Sequence, residues 1–189
     1  MKMLPEQIEK SFFASWCLRS GHLVPMKFIA DVMPGRLARR LRLLGLDVLY
    51  DRTLNDNEII RLSLEQERVI LTRDIDLSNR PLAENHAFIK SDLVQEQVEQ
   101  VLASIPLETL LNPLSRCSAC NVPLEPIAKR EAADAVPPHV YETQREFSRC
   151  TACGRTYWKG THVQRMALPA GVKIKQPVRA HRTGCSEDE

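Results

Sequence analysis

From residue 27 to about residue 104 the chain alternates short apolar runs with segments of helical period. Four of the runs read as strands, and each closes on an aspartate: Lys27 to Asp31, Val48 to Asp51, Val69 to Asp74 and Ala87 to Asp92. Between the first two, Leu37, Leu41 and Leu44 recur at helical spacing, bounded by Pro34, which a first helical turn tolerates, and Gly45, a common helix stop. Asn55 with Glu58 three residues on forms a capping box, and Ile59, Ile60 and Leu62 supply the apolar face of a second helix ending near Glu67. A polar loop through Asp76, Ser78, Asn79, Arg80 and Pro81 precedes the fourth run. A further helix is predicted from Asp92 to about Ser104, on Leu93, Val94, Val98, Val101 and Leu102. This alternation predicts an α/β fold with a parallel sheet covered by helices. All carboxyl ends of the strands then share one edge, where open sheets of this kind place their ligand crevice.

A second pattern begins after the proline-punctuated stretch from Ile105 to Arg116. Cys117 and Cys120 form one C-x-x-C pair, Cys150 and Cys153 another, with 29 residues between Cys120 and Cys150. Two such pairs place four thiolates on two tight turns, the donor set of tetrahedral Zn²⁺ at about 2.3 Å. Disulfides and a redox dithiol are the competing readings, but a redox pair belongs near a βαβ pattern and these lie outside it. Glu146 to Ser148 and Thr156 to Lys159 read as ribbon strands around the second pair. The expected organisation is an extension over 1–25, an α/β domain over 26–112, a zinc-ribbon module over 113–168 and a disordered tail over 169–189. Cys17 and Cys185 read as incidental thiols in the outer segments.

Composition narrows the function classes. The chain has 189 residues, 43% of them hydrophobic, and a formal net charge of +2, so its overall charge selects no partner. No run approaches the roughly 18 apolar residues that span a membrane, and residues 1–25 show no clear basic lead or small-residue cleavage site of a secretory signal. The expectation is a cytoplasmic protein. Local charge is more telling: Arg36, Arg39, Arg40 and Arg42 fall in one predicted helix.

A single strand-end aspartate is most simply a solvated turn or cap. Recurrence at four strand ends, with Asp76 two residues beyond Asp74, favours a shared role: clustered carboxylates suit a hard cation such as Mg²⁺ or Mn²⁺. Asp31 and Asp74 are the leading candidates and Asp56 and Asp76 the next. Asp51 is weaker, Glu58 already serves the capping box, and Asp92 is read as a helix cap. Metal-activated water and stabilisation of the leaving oxygen would fit phosphodiester cleavage. The arginines from Arg36 to Arg42 (Arg36, Arg39, Arg40 and Arg42), with Arg73, would then hold backbone phosphates.

The segment DVMPGRLARRLRLLGLDVLYD, the acidic helix, ILTRD, a further strand and helix, and two C-x-x-C knuckles ending in CGRTYW resemble the Mut7-C family of PIN-like ribonuclease domains over roughly Met26 to Met166. The resemblance implies a three-layer α/β/α sandwich, a metal-dependent nuclease site at the strand edge and an appended four-cysteine zinc ribbon. It places the metal at Asp31 and Asp74, with Asp76 and an acid of the Asp56 to Glu58 turn behind them. The substrate would be RNA. Tyr157 and Trp158, beside Arg149, Arg155 and Lys159, are read as the ribbon's small core or as a stacking surface for single-stranded RNA. The alternative function is a non-catalytic RNA-binding zinc-ribbon protein.

Overall fold

A computed structural model describes residues 26–31, 35–105, 110–160 and 173–174. The predicted extension 1–25, Pro34, Pro106 and most of the predicted tail lie outside the described residues. Strands β1 (Lys27–Ala30), β2 (Asp47–Tyr50), β3 (Arg68–Thr72) and β4 (His86–Phe88) alternate with helices α1 (Gly35–Leu43), α2 (Asp56–Gln66), α3 (Ile75–Ser78) and α4 (Val94–Ser104). The strands form one sheet of order β2-β1-β3-β4, parallel throughout.

Side-chain alternation along β1 and β3 divides the core in two. Phe28, Ala30, Val69 and Leu71 face α1 and α4, meeting Leu37, Leu41, Val98 and Val101. Ile29 and Ile70 face the other way, onto Ile59 and Ile60 of α2 and Leu77 of α3. Burial on both faces explains the unbroken apolar run Val69 to Leu71 in β3; every position of the strand is buried, its polar ends Arg68 and Thr72 included. The result is the expected α/β/α sandwich.

Two local details differ from the sequence expectation. The polar loop after β3 opens with the single-turn helix α3, because Asp74 caps it: its Oδ1 accepts from the amides of Asp76 at 2.7 Å and Leu77 at 3.4 Å. Helix α4 is not capped by Asp92. It starts after Leu93, while Asp92 is ion-paired with Arg73. The capping box of Asn55 and Glu58 is present as expected, and Glu67 closes α2 in the left-handed region at φ 52°.

The C-terminal part builds an antiparallel sheet of β6 (Leu124–Ile127), β7 (Phe147–Cys150) and β8 (Thr156–Trp158). Its insert carries a 3₁₀ helix (Lys129–Ala135) and α5 (Pro138–Thr143), closed over a small core of Ala132, Val136, Val140 and Phe147. Trp158 packs against that core. Lys173–Ile174, within the stretch expected as tail, forms β9 and pairs in parallel with β5 (Leu110–Leu111).

A polar seam fastens the first cysteine knuckle to the amino-terminal end of the sheet. Asp47 Oδ1 accepts from Arg68 Nη1 and from Asn121 Nδ2, both at 2.8 Å, and Asn121 Oδ1 accepts from Val48 N at 3.2 Å. Arg116 lies 3.5 Å from the other Asp47 oxygen. Leu114 N donates to Leu43 O at 2.9 Å. Gly45, at φ 92°, closes α1 where a Cβ would come within 2.3 Å of Asn112 O, so no larger residue fits that approach.

Burial pushes the Asp47 carboxyl up, but hydrogen bonds from Arg68 and Asn121 and the charges of Arg68 and Arg116 outweigh it and hold it below its usual value. A depressed folded-state pKa stabilises the fold above the ordinary carboxylate pKa of about 3.9, and that contribution is lost as pH falls through the folded value. Asp47→Asn should therefore lower stability by about 2–3 kcal/mol at neutral pH, since it leaves Arg68 half-paired in a largely buried site. Urea unfolding at pH 7 and at acid pH checks it: the gap from wild type should narrow below about pH 4.

Candidate active site and metal centre

The chain leaves β1 for β2 on one side and returns across it to β3 on the other, so the strand order reverses between β1 and β3. At such a switch point the loops diverge and leave a crevice above the carboxyl ends. Asp31 follows β1 and Thr72 ends β3, and the two stand side by side: Asp31 N donates to Leu71 O at 3.0 Å, extending the ladder by one bond. Asp31 is 7% exposed and Thr72 fully buried. The Thr72 hydroxyl donates to Asp31 Oδ2 at 3.0 Å and accepts from Asp74 N at 2.9 Å. One hydroxyl thus links the Asp31 carboxylate to the backbone of Asp74.

The remaining acids are placed less simply. Asp76 is exposed in the first turn of α3, its amide held by Asp74. Asp56, at the start of α2, is ion-paired with Arg80 at 2.8 Å, and Arg80 also donates to Asn57 Oδ1 at 2.7 Å. Asp51 accepts from the amide and hydroxyl of Thr53 at 2.9 and 2.8 Å, which accounts for it as a turn residue and holds its carboxyl below the usual value. The four candidate acids do not form a cluster of three ligand atoms close enough to share an ion. Among the described residues, only the cysteines do.

Helix α1 leaves the rim and runs back along the sheet, so its arginines sit at different heights. Arg36 is nearest the rim, Arg39 and Arg40 follow about one turn below, and all three are exposed. Arg42, which looks like one of the same group in sequence, is 3% exposed and points into the seam. The Tyr50 ring sits against the start of α1, where a Cβ on Gly35 would come within 2.5 Å of the phenol oxygen.

At the other end of the sheet, Cys117, Cys120, Cys150 and Cys153 bring four sulfurs within 4.8 Å of one another. Cys117 and Cys153 are 3.7 Å apart, close to the edge of about 3.8 Å of a tetrahedron with Zn–S bonds of about 2.3 Å. All four are free thiols. Both knuckles have one build: Asn121 N donates to Cys117 O and Gly154 N to Cys150 O, each at 2.9 Å, with Asn121 and Gly154 in the left-handed region at φ 63° and 70°. The Tyr157 hydroxyl lies 3.1 Å from Cys117 Sγ and accepts from Ser118 N at 3.2 Å, so this ring belongs to the metal centre's surroundings.

Ionisation within the quartet is unequal. Burial raises the Cys117 thiol, but hydrogen bonds from Tyr157 and the amides of Cys120 and Ala119 bring it down to about 6. Cys120 is pushed up to about 12, first by its hydrogen bond with Cys153 and then by burial and Cys117. Burial raises Cys150 as well. One thiolate is favoured, and Cys120 and Cys150 resist ionisation beside it; a divalent cation removes that resistance. Donor type, spacing and charge all fit zinc, and the quartet could hold one ion.

The role of Thr72 has no local sequence signal beyond its place two residues before Asp74. The seam residues Asp47, Arg68, Arg116 and Asn121 have none, because their partners are distant in sequence. A family model described as the Mut7-C RNAse domain matches residues 26–168. No curated protein and no solved structure matches the chain. No helix among the described residues is long and apolar enough to cross a membrane.

Thr72→Val keeps the side-chain volume and removes the hydroxyl, leaving Asp31 short of one donor and Asp74 N without its acceptor in a buried site. A loss of about 1–3 kcal/mol in urea unfolding is expected. Thr72→Ser, which restores the hydroxyl, should recover most of it.

Proposed function

The chain belongs to the Mut7-C RNAse domain family, and on that premise we propose that it is a metal-dependent ribonuclease acting at the rim between β1 and β3. Family membership points to RNA as substrate and to cleavage of its phosphodiester bonds. The observation that supports the site is that the Thr72 hydroxyl joins the Asp31 carboxylate to the Asp74 backbone at the switch point, which sets both acids at the carboxyl ends of adjacent strands. Magnesium is commonly held by one or two carboxylates plus substrate phosphate, and two rim carboxylates match that demand. A bound Mg²⁺ or Mn²⁺ supplies an activated water and charge stabilisation for the leaving oxygen.

In this reading Asp31 is the fixed ligand, oriented by Thr72 and by the β3 backbone. Asp74 commits Oδ1 to the α3 amides and offers its second oxygen. Asp76 completes the shell or orients water from the first turn of α3, and Asp56 does so on release from Arg80. Arg36 meets phosphate at the rim, with Arg39 and Arg40 continuing the track along α1. Arg73 joins them by exchanging Asp92 for phosphate. Residues 26–112 carry this chemistry, and 113–168 form a zinc ribbon whose metal is structural. Tyr157 and Trp158 serve that ribbon internally, and the basic residues left to RNA on it are Arg149, Arg155 and Lys159. Single-stranded RNA is the substrate and the cytoplasm the setting in this reading.

The capping role of Asp74 and the Asp56 to Arg80 ion pair favour the second reading, an RNA-binding module without catalysis. Labelled single-stranded RNA incubated with Mg²⁺, Mn²⁺ or EDTA separates the two. Metal-dependent cleavage falling by about 10²-fold or more in Asp31→Asn and Asp74→Asn is expected, the scale on which one positioned charge-stabilising group acts. Binding without cleavage would leave the module reading standing, and cleavage that persists in EDTA would overturn the metal-dependent one.

For the ribbon, elemental analysis should find about one zinc per chain. Cys117→Ser or Cys153→Ser should lose it, with loss of order over β6 to β8, because a site of this kind folds with its metal. A folded, zinc-free ribbon in either variant would contradict the assignment.

A further inference from the structure

Arg42 is a buried cation from the α/β sandwich whose partners lie mostly in the first cysteine knuckle. Its Nε donates to Val48 O at 2.8 Å, and its Nη1 donates to Ala119 O at 2.6 Å and Ser118 O at 3.2 Å. A guanidinium only 3% exposed needs anionic company. The groups that can carry negative charge beside it are Cys117, Cys120 and Asp47, with Arg39 as the opposing positive charge. Asp47 is already engaged by Arg68, Arg116 and Asn121. With zinc bound, the coordinating thiolates of Cys117 and Cys120 are the remaining counter-charge.

The two carbonyls that Arg42 holds belong to the peptides joining Ser118 to Ala119 and Ala119 to Cys120. In a trans peptide the N–H points away from the C=O. The N–H groups of these same two peptides, those of Ala119 and Cys120, face the Cys117 sulfur, with Cys120 N 3.4 Å from it. A cation gripping the oxygens fixes the plane of both peptides and polarises both N–H groups toward sulfur. Four thiolates around Zn²⁺ carry a net charge of about −2, which one adjacent guanidinium partly offsets.

We propose that Arg42 is an outer-sphere residue of the zinc centre, holding the Cys117 knuckle in its metal-binding shape, so that zinc affinity and order at the β2 edge are coupled. The coupling runs through two hands: Arg42 joins the knuckle to Val48 O, and Asn121 joins it to Val48 N. The inference depends on the quartet binding zinc and not on the nuclease reading.

The test uses the full chain. Zinc affinity is measured by competition with a chromophoric chelator in wild type, Arg42→Met, Arg42→Lys and, as an exposed control, Arg61→Met. Arg42→Met should bind zinc about 10- to 100-fold more weakly, as outer-sphere changes do at such sites. Arg42→Lys, with charge but without the fork that spans two carbonyls, should fall between. Cobalt-substituted Arg42→Met should show a shifted thiolate-to-metal charge-transfer band, a signature that general destabilisation does not produce. A folded Arg42→Met within about twofold of wild type in zinc affinity would overturn the proposal. If that variant does not fold, an unchanged affinity in Arg42→Lys overturns it instead. In wild type, zinc removal should speed hydrogen exchange of Val48 N–H more than of the β4 amides, and equal protection with and without zinc would refute the coupling. A chain that binds no zinc fails the zinc assignment, an outcome distinct from zinc bound with unaltered strength in the variants.

Discussion

All four strands of the main sheet point the same way, and the consequences of that constraint reach both ends of the molecule. Parallel strands need a crossover each, and each crossover carries a helix that returns along the sheet. Loops that follow strands therefore gather at one end, and helix C-termini at the other. The strand order reverses at β1, and Asp31 and Thr72 stand at the first end, beside that reversal. The second end receives the C-terminus of α1 and the start of β2, where Arg42 and Asp47 meet the cysteine knuckle. Acids and thiols are thus held apart by the length of a four-residue strand, roughly 13 Å.

How much of this was legible in the sequence depended on the range of the interaction. The strands were, because residues buried on both faces need apolar side chains in unbroken runs. The capping box was, because Asn55 and Glu58 satisfy each other within one turn. The knuckles were, because two C-x-x-C pairs admit few arrangements. Asp74 was ambiguous for a physical reason: a carboxylate at a strand end and one at a helix N-cap look alike until the next residues are placed, and α3 is one turn long.

Arg42 was misplaced by its neighbours. Four arginines in seven residues look like a charged face, yet helical geometry turns one of them inward. The core face of α1 is set by Leu37 and Leu41, and Arg42 follows Leu41 around the helix into the seam. Its use there became visible only with Ser118 and Ala119, more than 70 residues away. The same holds for Asp47 and Asn121. The insert between the cysteine pairs showed no period because its core of Ala132, Val136, Val140 and Phe147 is assembled from a 3₁₀ turn, a short helix and a strand, none long enough to show one.

The Asn121 side chain reaches Val48 N across 73 residues of chain. During synthesis at roughly 5–20 residues per second, Val48 is made about 4–15 s before Asn121. Until Asn121 is in place, Val48 N on the border strand lacks its acceptor, and an unmet donor of this kind is where neighbouring chains pair. Arrival of the knuckle ends the exposure, so a late-made part of the polypeptide protects one of the first.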